Sequence, residues 1–455
     1  MTSLHNREVP AGKVVLTLIL SLLILLAFEL RFTAVAYSEV DQPIRADAKD
    51  YILYAYNLNE HGVYSRSSGG YESLAPPPPD AVRSPGYPLF LYGFIKDLDN
   101  AELKLVLNAQ ALMSGICVIL VFLICIFIMP APWALIATFL TAISPHLINA
   151  NIYFLTESLF AFTLLCGLVL LALAVEKQKN WLWFGIGIAF GITTLVRPTI
   201  QYFPILLILL LYIQLPRRTA SLCSALFFIG FSITFGPWLI RNLLAIGSTS
   251  DSTLMINFLH HGMYPGFEFQ GNKASFGFPY YYDPDSARIS TSVSSALLEI
   301  ARRFLESPAE HLKWYLFGKP TTLWSWNIIQ GMGDSFIYPV VKSPYAFAQH
   351  FQVTHLISFW THWAAIFLAF AGSILCWIPG CRNVVEERKL LILRVISLLL
   401  IYITGIHMIG APFPRYSIPF RPVIYLSAVA TLYTLFTLHL NSKSLNRKNF
   451  ANASN

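Results

Sequence analysis

Four ionisable residues stand at the ends of apolar blocks, where a membrane would make them costly. Glu157 opens one block, in Tyr153-Phe154-Leu155-Thr156-Glu157. Arg197 closes the next, in Leu195-Val196-Arg197-Pro198. Arg241 closes a third, in Pro237-Trp238-Leu239-Ile240-Arg241-Asn242, and Arg415 sits in Pro414-Arg415-Tyr416 before the last. A charge held at bilayer depth costs about 3 kcal/mol on insertion scales, so it is usually paired or functional. Any one of these arginines could snorkel to the interface or end a helix. Three on one side favour a shared anionic ligand, and phosphate is the natural one, because the guanidinium fork matches its oxygens.

A carboxylate comes from upstream. Asp47-Ala48-Lys49-Asp50-Tyr51 opens a helical stretch, in which Asp47 is an acceptable N-cap and Asp50 suits the first turn. Alternatively, Asp47 is a general base facing the arginines. Downstream, the prolines and glycine of Arg83-Ser84-Pro85-Gly86-Tyr87-Pro88 make a rigid turn that could aim Arg83 or Tyr87 at a ligand. His260, His261 and Glu268 could join Asp47 or Glu157 around a metal. Adjacent histidines do not share a helix face, however, so no metal ligand is assigned and a divalent ion is left open. No glycine-rich phosphate loop follows a strand, which excludes a nucleotide-binding domain.

The elements that must position these groups are set by composition. Of 455 residues, 55% are apolar and 12% charged, against about a quarter charged in soluble domains. The apolar residues form long blocks, and roughly 17–25 of them suffice to cross a bilayer as a helix. Ten candidate spans follow: 14–36, 105–129, 133–148, 152–175, 181–196, 200–215, 220–240, 359–378, 390–409 and 423–440. The third, fifth and sixth are short. The first is too long for a signal sequence and lacks a cleavage site, so it reads as a retained anchor. The net charge of +7 is explained by short basic loops, not by nucleic acid. Lys and Arg in those loops, among them Arg7, Lys177, Arg217, Arg218, Arg388 and Lys389, place both termini in the cytosol. The sequon Asn452-Ala453-Ser454 then falls inside the cell and reads as chance. None of the six cysteines forms a Cys-x-x-Cys pair, so no disulfide framework or zinc site is readable.

Two long polar segments are then extracytoplasmic, 37–101 and 243–354. The first includes the flexible turn Ser65–Gly70 and the stiff run Pro76–Pro79. The second includes aromatics and a helix near the membrane surface over 296–317. The expected organisation is a membrane module over 1–242, the second loop over 243–354, further spans over 355–440 and a cytosolic tail over 441–455.

Several runs resemble the C-type-fold membrane glycosyltransferases, with the closest likeness to bacterial relatives of protein O-mannosyltransferases and aminoarabinose transferases. They are Asp47-Ala48-x-x-Tyr51, Arg83-Ser84-Pro85-Gly86-Tyr87-Pro88, Leu155-Thr156-Glu157-Ser158-Leu159, Gly191-x-x-x-Leu195-x-Arg197-Pro198, Pro237-Trp238-x-x-Arg241-Asn242 and Arg415-Tyr416-x-x-Pro419. They occur in the family's order. The second long loop matches poorly, and acceptor specificity is expected there.

The resemblance implies an all-α polytopic membrane protein of about ten helices in the bacterial inner (plasma) membrane, its site facing outside. It implies an inverting transfer of a sugar from a polyprenyl-phosphate carrier to a glycan, lipid or protein acceptor. Asp47 is then the base. Arg83, Tyr87, Glu157, Arg197, Arg241 and Arg415 are the substrate-binding candidates. Two departures stand out: Asp47-Ala48 where protein mannosyltransferases carry Asp-Glu, and Arg83-Ser84-Pro85 where aminoarabinose transferases carry a Lys-Pro-Pro element. The competing readings are a transporter or flippase, which would carry polar groups at midplane on broken helices, and an oligosaccharide polymerase or ligase of the same architecture.

Overall fold

The computed structural model describes residues 11–68, 75–329, 331–383 and 385–453. Arg7, Gly69, Gly70 and Ser454, which entered the reading above, lie outside them. Helices dominate: α1 (Ala11–Tyr37), α2 (Ala46–His61), α3 (Gly86–Tyr92), α4 (Asn100–Ile128), α5 (Ala131–Ile143), α6 (Pro145–Asn149), α7 (Glu157–Lys177), α8 (Leu182–Val196), α9 (Phe203–Gln214), α10 (Arg217–Ile246), α11 (Thr253–Gly262), α12 (Val293–Glu306), α13 (Pro308–Lys313), α14 (Lys319–Leu323), α15 (Gln349–Leu375), α16 (Glu387–Ile409) and α17 (Arg421–Ala453).

Among the described residues, seven helices are long and apolar enough to cross a membrane. The bent pair α5 and Pro145–Ile152, kinked by 49°, makes an eighth. The remaining two expected spans exist as the shorter apolar helices Leu182–Val196 and Pro198–Gln214. At 1.5 Å per residue α8 reaches only about 22 Å, short of a hydrocarbon core of about 30 Å. Pro198 is the reason, because the residue before a proline is driven out of helical geometry. Arg197 accordingly sits at φ −146°.

A kink in lipid exposes carbonyls, which must find donors inside the protein. At the α5–α6 bend the donor is Arg31 of α1, which is wholly buried. It donates to Ala142 O (2.9 Å), Thr141 O (3.1 Å) and Ser114 Oγ (2.8 Å). Close helix crossing is provided by small residues. A Cβ on Gly187 would lie 2.1 Å from Phe227 O, and one on Gly230 2.2 Å from Phe184 O, so α8 and α10 touch backbone to backbone.

The two long loops meet at one end of the bundle. Strand β1 (Glu39–Val40) of the first pairs antiparallel with β2 (Val340–Lys342) of the second. The second loop also dips into the bundle, where three consecutive carbonyls are held by side chains. His362 Nε2 donates to Trp324 O (2.8 Å), Arg421 Nη2 to Ser325 O (3.1 Å) and His146 Nε2 to Trp326 O (2.8 Å). The helix expected over 296–317 is divided. Pro308 starts α13 after Ser307, and Trp314–Gly318 forms a single π turn.

Candidate functional site

The site gathers where α2, the turn before α3, the start of α7, the end of α8 and the short helical segment Pro414–Phe420 meet. Helix α2 forms because Ala48, Tyr51, Ile52 and Ala55 bury one face at i, i+3, i+4 and i+7. Its cap is Arg45, with no side-chain capping bond, so Asp47 does not cap the helix as a sequence reading allows. Ala46, immediately before it, holds φ at 46°. That left-handed geometry is strained for a residue with a Cβ and tends to occur at functional sites. Tyr51 meets the ring of Tyr87 edge-on, with centroids 5.1 Å apart.

The Arg83 turn is pressed against the end of α8. A Cβ on Gly86 would lie 2.6 Å from Val196 N, so only glycine allows this approach. Arg83 Nη2 thereby reaches Asp47 Oδ1 at 2.6 Å and Asp50 Oδ2 at 2.9 Å. The other Asp47 oxygen is bonded by Arg415 Nη2. Arg415 Nε lies 3.8 Å from Glu157 Oε1, and Arg197 Nη2 lies 2.8 Å from the same oxygen. Local backbone favours these charges. Glu157 is the first residue of α7, and Arg197 follows the last residue of α8, so each helix dipole stabilises the charge at its own end.

Six charges therefore alternate along one chain of contacts: Asp50, Arg83, Asp47, Arg415, Glu157 and Arg197. Burial acts to raise the Asp47 pKa. The charges and hydrogen bonds of Arg415 and Arg83 more than reverse this and hold the carboxyl well below the usual carboxylate range. Asp47 is thus a carboxylate at any working pH, firmly held by two arginines. Positive charge beside Asp47 and Glu157 is supplied by guanidinium groups. Among the described residues, no cluster of three or more His, Cys, Asp or Glu side chains is placed to hold a metal ion.

Three buried polar atoms here make no well-formed hydrogen bond: Glu157 Oε2, Arg415 Nε and Tyr338 Oη, the last lying beside the Arg415 guanidinium. Tyr338 comes from the second loop. Its carbonyl accepts from Tyr153 Oη at 2.9 Å, and Arg45 lies over its ring at 5.5 Å. Burial pushes its phenol up to about 12, with Arg415 opposing the rise and Asp47 and Glu157 adding to it. Tyr338 therefore lies within electrostatic reach of all three. Buried polar groups are almost always paired, so an acceptor, a charged donor and a hydroxyl at one node leave unfilled hydrogen-bonding capacity there. A cavity of about 600 Å³ opens on the other side of Asp50, lined by Lys49, Arg66, Asp80 and Asp251.

Five of the seven candidates are brought together: Asp47, Arg83, Glu157, Arg197 and Arg415. Two are not. The Tyr87 hydroxyl is buried and donates to Gln110 Oε1 at 2.7 Å, so Tyr87 supports Tyr51 from behind. Arg241 donates to Asp80 O (2.7 Å) and Tyr64 O (3.1 Å), between the rings of Tyr64 and Trp238. It fastens the first loop to the end of α10. Asp50 and Tyr338 are the site residues that sequence reasoning missed. Asp50 carried a signal, one helical turn from Asp47, whereas Tyr338 carried none.

Residues 82–240 match the model of a family described as dolichyl-phosphate-mannose-protein mannosyltransferase. The matched stretch is under half the chain and contains Arg83, Glu157 and Arg197. No curated protein matches the sequence. Solved structures of the archaeal oligosaccharyltransferase AglB from Archaeoglobus fulgidus share the fold. One, in complex with an inhibitory peptide and a dolichol-phosphate, aligns at TM-score 0.51 and 15% identity over 96% of this chain and 52% of that one. The apo form aligns at TM-score 0.51 and 12% identity, over 95% and 52% respectively. The chain thus spans about half the length of the oligosaccharyltransferases it matches. It is an integral membrane protein with the C-type glycosyltransferase fold. Within that class its similarity reaches the protein mannosyltransferases in sequence, over residues 82–240, and the archaeal oligosaccharyltransferases in architecture.

Proposed function

We propose that the protein transfers a sugar from a polyprenyl-phosphate carrier to an acceptor hydroxyl at the outer face of a bacterial plasma membrane, with inversion. The observation that carries this reading is the node at Asp47, Arg415 and Glu157, where paired charges coexist with buried polar atoms whose hydrogen-bonding capacity is not filled. A phosphate suits Arg415 and Arg197, and a sugar hydroxyl suits Glu157 Oε2 and Tyr338 Oη.

At the anomeric carbon one bond forms and one breaks. The acceptor oxygen attacks the anomeric carbon, the carbon–phosphate-oxygen bond breaks, and the phosphate oxygen keeps that electron pair. The hydroxyl proton passes to Asp47. A carboxyl held this low is a weak base, and general bases work best with a pKa near the operating pH. Phosphate binding resolves the conflict. By drawing Arg415 toward its own oxygens, the donor weakens the Arg415–Asp47 bond and lets the Asp47 pKa rise when the proton must be taken. The guanidinium groups then stabilise the charge on the departing phosphate.

The test uses full-length protein in nanodiscs, a short-chain polyprenyl-phosphate hexose and membrane extract as the acceptor pool. Release of polyprenyl phosphate is followed by mass spectrometry. The wild type is expected to release it, and Asp47→Asn to release at least a hundredfold less. Equal release by both would remove Asp47 from the chemistry. No release by the wild type from any sugar-phosphate carrier would remove the transfer itself.

A further inference from the structure

Helix α12 packs Val293, Ala296 and Ile300 against Leu259, Met263, Tyr264 and Ile289, and buries a charge beside them. Its buried residues are Ala296 and the carboxylate Glu299. Glu299 accepts from Arg288 (2.9 Å), Arg302 (2.6 Å) and Arg303 (2.8 Å), and Arg303 continues to Asp283 at 2.5 Å. The other side carries leucines. Leu298 is 72% exposed and Leu305 84%, and beyond the Ser307 break Leu312 is 54% and Phe317 68% exposed. Exposed apolar residues scattered singly are ordinary, but a contiguous ridge above buried charge marks contact with an apolar partner.

The height of this ridge is fixed by Lys319. Its Nζ donates to Met408 O (2.9 Å) and Ile409 O (3.1 Å), the last residues of the spanning helix α16. Phe317, two residues earlier, therefore stands level with the end of a membrane span, where hydrocarbon gives way to headgroups. Ile409, at that same end of α16, is itself exposed. Charges along the segment are of both signs: Arg302, Glu306, Glu310 and Lys313.

We propose that α12, α13 and the turn ending at Phe317 form a membrane-interface anchor. The partner is the lipid surface of the leaflet at the site end, and attachment is by apolar insertion. With both signs of charge beside the ridge, binding does not require anionic lipid. The anchor holds the second loop down on the leaflet and does not rest on the functional reading above.

Single-cysteine variants Leu298→Cys, Leu305→Cys and Leu312→Cys test it. Each is labelled with a nitrobenzoxadiazole fluorophore in the full chain, in phosphatidylcholine nanodiscs, with the unmutated protein as the labelling blank. Brominating the upper acyl chains is expected to quench all three labels at least twofold and to leave a label at Lys273→Cys unchanged. Emission typical of water at the leucine positions would overturn the proposal. Blue-shifted but unquenched emission would also overturn it, because the ridge would then be covered by protein such as a second copy of this chain.

Discussion

Arg197 Nη2 stands 2.8 Å from Glu157 Oε1, and the Glu157 side chain has no contact with water. A buried pair of this kind is weak evidence for net stability, but breaking it is costly because one charge stays behind unpaired. Arg415, at 3.8 Å, offers Glu157 only a partial substitute. Arg197→Ala is expected to destabilise the protein by about 3–5 kcal/mol. Glu157→Gln with Arg197→Gln should recover part of that loss while transfer stays low. Thermal unfolding in nanodiscs reads the first effect. If Arg197→Ala kept wild-type stability, the pair would be dispensable to the fold.

Asp47→Asn separates the chemistry from the fold. The amide keeps the shape but loses the charge that Arg83 and Arg415 share. Transfer is expected to fall about 10²–10⁴-fold, the usual contribution of a general base, while the protein still inserts and still binds donor. Asp50→Asn leaves the Asp47 contacts in place and should cost far less. A donor-binding measurement beside the transfer assay distinguishes lost chemistry from lost binding.

The depressed pKa of Asp47 also has a sign. A carboxylate held lower in the folded than in the unfolded chain adds stability that is fully present above the unfolded value of about 4. That stability is lost as pH falls from there through the folded value. The stability gap between wild type and Asp47→Asn should therefore be constant from neutral pH to about 5 and shrink below about 4. Denaturation midpoints of both proteins across that range check it, and a gap that widened with acid would contradict the ion pairing.

How far the sequence could go is visible in these residues. Apolar blocks and proline positions place the helix ends, so Glu157 and Arg197 could be put at one end of the bundle without any tertiary information. The Asp47 and Arg83 runs were readable as helix start and rigid turn, but not as partners 36 positions apart. Arg241 shows the limit. Its position at a helix end fits a phosphate ligand as well as Arg197 does, and only the path of the first loop, whose carbonyls it binds, separates the two. Tyr87 was similarly ambiguous until Gln110 appeared beside it.

Arg31 was silent in the sequence, lying within the first apolar block. Replacing it with Met would strand the carbonyls of Thr141 and Ala142 at the α5–α6 kink, with no water to take its place. Arg31→Met is expected to destabilise by about 2–3 kcal/mol, roughly the desolvation of the groups left unpaired. Arg31→Lys should lose less. Unfolding yields that matched wild type for both would mean that the kink finds other donors.

Tyr338 permits a test in which stability and activity move apart. Its hydroxyl is buried beside the Arg415 guanidinium without a well-formed hydrogen bond, and an unmade hydrogen bond costs about 1–3 kcal/mol. Tyr338→Phe removes that cost and keeps the ring between Arg45 and Tyr153. The variant should therefore be as stable as wild type or more so. A hydroxyl present only for the fold would then leave transfer unchanged. If instead it meets the donor sugar or phosphate beside Arg415, transfer should fall about tenfold, the equivalent of one hydrogen bond of about 1.4 kcal/mol. Loss of stability together with activity would show that the hydroxyl has a structural partner after all. A more stable but slower enzyme would place the second loop in the reaction.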